Sequence, residues 1–209
     1  GMEFFEHDTW GQGNSAVGEA SPRIPLVIRD PSLPARGKID DVVRTIDLAP
    51  TLLELCGHPT TSNMDGVSLV NCMGPDRACP ELDAFNETGI WIADIPGLPE
   101  THLRYPNLLE LIEVPNRDSG TLAIKPEYCS RVITAKDRMI RSGKWKLVLQ
   151  PLTAGNKLQL FDVETDPGCT HDLSSKQPKI VKSLLGRLTS WMERDTGLLS
   201  VPPNTNPLQ

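Results

Sequence analysis

Residues able to do chemistry gather near the start of the chain. Glu6-His7-Asp8 sets two carboxylates around an imidazole, and Trp10-Gly11-Gln12-Gly13 follows at once. An imidazole can bind a metal, donate to an anion or carry a proton near neutral pH. The amide of Gln12 can donate a hydrogen bond but brings no charge. The cluster therefore suits contact with a metal or an anion, and a solvated polar loop is the plain alternative. The remaining histidines, His58, His102 and His171, stand in loop-like sequence without partner spacing and read as surface residues. Asp47, Asp65 and Asp166 read as cap and turn residues.

Several elements must hold that cluster in place. Ile24 to Ile28 is an apolar run that predicts a strand buried on both faces, delivering the polar loop before it. Asp30-Pro31 through Gly37 is a Pro-rich connection. Asp47-Leu48-Ala49-Pro50-Thr51-Leu52-Leu53-Glu54-Leu55 predicts a helix, with Asp47 as N-cap, Pro50 in the first turn and Gly57 as the stop. Leu48, Leu52 and Leu55 should form its inner face. From Val70 to Pro126 the prolines break the signal, with Asn86–Ile92 strand-like and Leu108–Ile112 of undecided type. Arg131–Thr134, Met139–Arg141, Trp145–Leu149 and Leu158–Asp162 then read as four strands. A tight hairpin is expected at Ser142-Gly143 and a longer one over Thr153–Asn156. Lys144 and Lys146 alternate with Trp145 and Leu147, so one face of the sheet should be wet. Val181, Leu184, Leu185, Leu188, Trp191 and Met192 share one face of a final helix beginning near Pro178, which should cover the other.

These stretches resemble one family in order and spacing. Sulfatases of the alkaline-phosphatase superfamily, of the formylglycine-dependent type, carry E-H-G-x-W-G-K-G and then Y-E-E-S-x-R-V-P-L-I. Here Glu6-His7, Trp10-Gly11, Gly13, Glu19, Ser21, Arg23 and Pro25 fall in that order. Two departures stand out. Gln12 occupies the place of a lysine that looks like a sulfate-oxygen ligand, and about two extra residues separate Gly13 from Glu19. Asp47 to Gly57 resembles the family's D-L-x-P-T-L-L-x-L-x-G helix, and Met64-Asp65-Gly66-Val67-Ser68-Leu69 its D-G-x-S-L turn. Arg141-Ser142-Gly143-Lys144-Trp145-Lys146-Leu147, then Leu160-Phe161-Asp162-Val163-Glu164-Thr165-Asp166-Pro167, are similar to its C-terminal subdomain.

The resemblance implies an α/β fold: the C-terminal part of an alkaline-phosphatase-like core, then an antiparallel four-stranded sheet with one covering helix. On it residues 1–70 belong to the core, 71–129 form a loop-rich connection and 130–209 the sheet-and-helix subdomain. It implies sulfate-ester substrates and, in the intact enzyme, calcium. His7 and Gln12 become the substrate-side candidates, with Glu19 and Arg23 as a structural ion pair and Asp47, Asp65 and Gly66 as structural motif residues. No metal ligands are expected in this chain, and no catalytic residue. None of the five cysteines sits in the Cys/Ser-x-Pro-x-Arg motif that supplies the formylglycine nucleophile. Ser32-Leu33-Pro34-Ala35-Arg36 matches it but reads as a Pro-rich turn, lacking the Thr-Gly continuation. A related phosphodiesterase or phosphonate hydrolase, and a non-catalytic interaction module of the same descent, remain the alternatives.

The totals bound these readings. A net charge of −6 gives no row of cations for a nucleic acid, and no apolar run is long enough to span a bilayer. Five cysteines at irregular spacing read as reduced structural thiols, with a Cys72–Cys79 loop closure the alternative. The strand at Ile24–Ile28 lacks its family neighbours, so either the middle region repacks over it or, the favoured reading, an apolar patch and edge remain and favour self-association. The sequence gives no reading of compartment.

Overall fold

In the computed structural model, alternating apolar residues toward the end of the chain build three strands of a four-stranded sheet. Its strands are β3 (Asp83–Glu87), β6 (Arg138–Ser142), β7 (Trp145–Leu152) and β8 (Gly155–Asp162), in the order β3-β6-β7-β8. The structure describes residues 2–5, 8, 10–12, 15–33, 37–60, 63–74, 78–91 and 98–196. By contact the chain divides into two compact units, Gly1–Ile24 with Phe85–Ile140 and Trp145–Gln209, and Pro25–Ala84 with Arg141–Lys144.

In the first unit β7 and β8 run antiparallel with Leu147 opposite Leu160 and Lys146 opposite Phe161. The turn between them is two residues long, shorter than the sequence suggests, because Gly155 at φ 88 closes the hairpin directly against Leu152. Gly143, φ 51, does the same between β6 and β7. The helix expected from Pro178 is α5 (Pro178–Thr196). Its Leu184 and Leu188 are buried against Ile140, Leu147, Leu149 and Leu160, with Val181, Leu185 and Trp191 half-buried around them. Trp191 stacks on Phe85 of β3, ring centroids 5.1 Å apart.

The sheet has four strands, but not the four expected. Arg131–Thr134 belongs to a helix, α4 (Pro126–Thr134), and β3 comes instead from the weakly patterned middle of the chain. The β-branched run Val132-Ile133-Thr134 suggests a strand by itself. The helix is set from outside that window, by Pro126 at its first position and Glu127 in its first turn. Nor is the second face of the sheet wet. Lys146 is fully buried, and Val148, Met139 and Phe161 pack there with Ala16, Val163 and Cys169. The rest of the unit comprises three further pieces. A hairpin is made of β1 (Met2–Phe4) and β2 (Trp10–Gln12); α3 (Leu108–Leu111) is a single turn; and β4 (Ile112–Asn116) pairs with β5 (Thr121–Ile124) in a second hairpin.

The second unit contains a 3-10 turn (Thr45–Asp47) that runs into α1 (Leu48–Leu55), and the short α2 (Val70–Met73). Gly57, φ 74, ends α1: His58 N donates to Leu53 O and Gly57 N to Glu54 O, which satisfies carbonyls left over by the last turn. The expected inner face is wrong. Pro50 and Thr51 are buried while Leu52 is 55% exposed. Hydrogen bonds choose the face here, since Thr51 Oγ1 donates to Asp47 O and accepts from Leu69 N. Ile24–Ile28 is not a strand, and Val27 is 90% exposed. Pro25 lacks the N–H that a ladder needs, and none of the described strands pairs with this run. Cys72 and Cys79 form a disulfide, so the reduced reading fails for that pair. Cys56, Cys129 and Cys169 take no part in that disulfide.

Candidate functional site

Of the polar cluster, Asp8 lies between β1 and β2, and Trp10–Gln12 forms β2. Phe4 pairs with Trp10 and Met2 with Gln12, so Gln12 is placed on β2 by its backbone. Glu6 and His7 lie outside the described residues. Asp8 is exposed with φ 58, and its N–H donates to Phe5 O. Phe5, at φ 75, brings its ring to 5.1 Å from Trp10, while Phe4 meets Trp10 edge-on at 5.3 Å. All three rings remain more than half exposed.

The segment leaving the hairpin is anchored. Ser15 Oγ accepts Val17 N, Ser15 and Ala16 are buried, and the Lys146 ammonium reaches across from β7. It donates to Gly18 O at 2.6 Å and to Glu19 Oε1 at 2.9 Å. The ion pair expected between Glu19 and Arg23 is therefore replaced. Glu19 gives its carboxylate to Lys146, and Arg23, exposed, meets Glu19 only by donating its backbone N–H to the Glu19 carbonyl. Sequence reasoning missed Lys146 because its partner lies 127 positions away, beyond any local pattern.

Asp47 and Gly66 form a second junction, within the other unit. The Asp47 carboxylate accepts from Arg44 N, Nε and Nη2 and from Val67 N, at 2.7–3.0 Å. Burial opposes its ionisation. The hydrogen bonds from Arg44, that from Val67 N and the charge of Arg44 together outweigh burial and hold its carboxyl below the usual carboxylate value. It makes no side-chain cap to α1; it closes the 3-10 turn and grips the Asp65-Gly66 turn instead. A Cβ on Gly66 would lie 1.9 Å from Ile46 O, so only glycine fits there. Asp65 is exposed beside it.

Ser32 is exposed, and its hydroxyl and N–H both bond Asp30 Oδ1, the geometry of an Asx turn. Pro34, Ala35 and Arg36 lie outside the described residues. His102, read as a surface residue, is buried at 1% exposure and its Nε2 lies 2.6 Å from Asp137 Oδ1. Among the described residues no three of His, Cys, Asp and Glu converge as metal ligands, so they do not fit a calcium site. No described helix is long and apolar enough to cross a membrane.

Residues 12–79 match the family model described as N-sulphoglucosamine sulphohydrolase, C-terminal. Arylsulfatase K of Bos taurus is 26% identical over 172 residues, which cover 82% of this chain and 26% of that protein. Arylsulfatase K of Homo sapiens is 27% identical over the same shares. The extracellular sulfatase SULF-1 homolog of Drosophila melanogaster is 39% identical over 59 residues, 28% of this chain and 5% of that one. Among solved structures, a 2-O GAG sulfatase superposes with a TM-score of 0.44 at 20% identity, covering 71% of this chain and 24% of its own. Residues 12–79 are thus similar to the C-terminal region of a sulfatase, and a longer stretch of the chain is similar to part of arylsulfatase K. The chain spans about a quarter of the length of the curated relatives it matches. The family implies a metal, calcium, in intact enzymes; the residues described here supply no site for it.

Proposed function

We propose that this chain forms the substrate-side C-terminal part of a sulfate-ester hydrolase and does not hydrolyse sulfate esters alone. In this reading residues 1–70 complete an α/β core, 71–129 connect it, and 130–209 are the subdomain that braces the loop. The carrying observation is the pair of Lys146 bonds, which tie the segment after the hairpin to the C-terminal sheet. His7 and Gln12 are the donors assigned to the sulfate oxygens, with Gln12 the weaker for want of charge. Such a reaction also needs a covalent nucleophile and a bound cation, and the residues act together and not additively.

Purified chain supplied with calcium or manganese should show no turnover of an aryl sulfate or an aryl phosphodiester. Turnover abolished by Ser32→Ala would make Ser32 the nucleophile and overturn the reading. A longer gene product carrying Cys/Ser-x-Pro-x-Arg upstream should hydrolyse aryl sulfates, with Gln12→Lys raising that rate and His7→Ala lowering it. The second reading is a phosphodiesterase or phosphonate hydrolase, favoured by the uncharged Gln12. There the longer product would prefer the phosphodiester, and Gln12→Lys would shift it toward sulfate.

A further inference from the structure

We propose that His102, Asp137 and Gln150 form a clasp, held shut by one buried proton, that fastens the segment around His102 to the end of β7. The side chains of His102 and Asp137 are 0% and 1% exposed. Leu103 O lies 2.7 Å from His102 Nδ1, and a carbonyl only accepts, so Nδ1 carries a hydrogen. Asp137 Oδ1 lies 2.6 Å from Nε2. Either Nε2 donates to the carboxylate or a protonated carboxyl donates to Nε2. Both arrangements hold one proton more than a neutral imidazole beside an ionised carboxylate.

The surroundings make that proton matter. Gln150 Nε2 donates to Asp137 Oδ2 at 2.8 Å, and Asp137 N donates to Thr88 Oγ1 at 3.1 Å, so the acid is fixed from two further sides. The Trp91 ring covers His102 with centroids 5.0 Å apart and stacks on Tyr105 at 5.5 Å. The charged groups about the pair are Arg138, whose guanidinium acts on Asp137, and Glu87, which holds Arg138 and Lys136. Without the shared proton, one ring nitrogen would turn a lone pair toward an oxygen, Asp137 Oδ1 or Leu103 O, in a dry site. That repulsion acts on a short seam. Leu103 N donates to Pro151 O at 3.0 Å, Thr153 N to Thr101 O at 2.8 Å, and His102 bridges Leu152 between them.

The test uses the full chain, labelled with nitrogen-15, titrated upward in pH. Ring spectra report the hydrogens on His102, the carbon-13 shift of the Asp137 carboxyl reports whether the acid holds one, and amide exchange, corrected for intrinsic rate, reports the seam. The clasp requires a hydrogen on Nδ1 and a second one held between Nε2 and the Asp137 carboxyl while Leu103 and Thr153 are protected. Loss of the second hydrogen should cut protection at both amides by about tenfold, leaving Val148 in the sheet unchanged. Asp137→Asn should keep the seam and remove its pH step, because the new amide can donate to a neutral Nε2 while its oxygen still accepts from Gln150. His102→Ala should expose both amides at every pH and serves if the asparagine variant does not fold. A ring with one hydrogen beside an ionised Asp137 in the protected state would overturn the proposal. So would protection unchanged through the titration, a pH step that survives Asp137→Asn, or a seam indifferent to His102→Ala.

Discussion

Toward α5, strand β7 presents Leu147 and Leu149 to Leu184 and Leu188; on its other side it presents Lys146, Val148 and Gln150. Both sides are closed to water, by different means. The α5 side is closed by apolar area, where each buried leucine contributes about 1.5–3 kcal/mol and neighbours of similar shape are interchangeable. The opposite side mixes Val148 and Phe161 with an ammonium on Glu19 and an amide on Asp137. Buried polar groups of that kind add little net stability when satisfied but cost several kcal/mol when one partner is removed. The first side therefore makes the sheet and α5 stable, and the second determines which segments sit on them.

The largest expected effect falls on the apolar side. Leu188→Ala should cost about 4 kcal/mol in chemical denaturation, since its site is enclosed and cannot collapse. A loss below about 1 kcal/mol would mean that α5 does not seal the sheet.

On the polar side Glu19→Ala should cost about 2–3 kcal/mol by leaving Lys146 buried without its carboxylate, moderated because Glu19 keeps 21% of its side chain exposed. Lys146→Met, removing the charge as well, should recover most of that loss in the Glu19→Ala background. A second substitution that merely adds to the first would erase the contrast between the two sides.

Asp47→Asn extends the contrast to the other unit and should cost about 2 kcal/mol at neutral pH. Its folded-state carboxyl titrates below the ordinary 3.8, so its contribution is present above that value and is lost as pH falls through the lower folded-state value. Melting curves on acidification should show that loss in the parent and not in the variant, whose amide at this position does not titrate. Parallel acid profiles for the two would refute it.

The smallest effect is expected where nothing is sealed. Leu52→Lys, on the open side of α1, should change stability by no more than about 0.5 kcal/mol. If the exposed apolar residues drive self-association, the same substitution should shift light scattering toward monomer. Unchanged association would move that surface elsewhere.

Legibility in the sequence followed the range of the forces involved. β7, β8 and α5 were readable because alternation and a helical stripe are local, and each was matched by a partner of the same kind. The Gly57 stop was readable for the same reason. Lys146 was misread because alternation assigns it to a wet face, and only Glu19 and the Gly18 carbonyl, far back in the chain, make it an inside residue. His102 was misread likewise, its acid partner lying 35 positions on. α1 shows a third failure: its leucines spell an inner face, but Asp47 and Thr51 fix the helix by hydrogen bonds and turn Leu52 outward. Of the candidate site, the order of motifs was legible, whereas the Glu19 partner required the fold.

The disulfide between Cys72 and Cys79 bears on how the protein must be made. Bonds of this kind persist where thiols are kept oxidised and are rare in reducing cytosol. A host that keeps the thiols reduced would yield a chain in which Cys72 and Cys79 are separate thiols, able to exchange with Cys56 on the surface. Such a preparation would be a different covalent species, heavier by the pair of hydrogens that mass spectrometry can count. Secretion into an oxidising compartment, with Cys56 blocked against exchange, is the route that delivers the molecule described here.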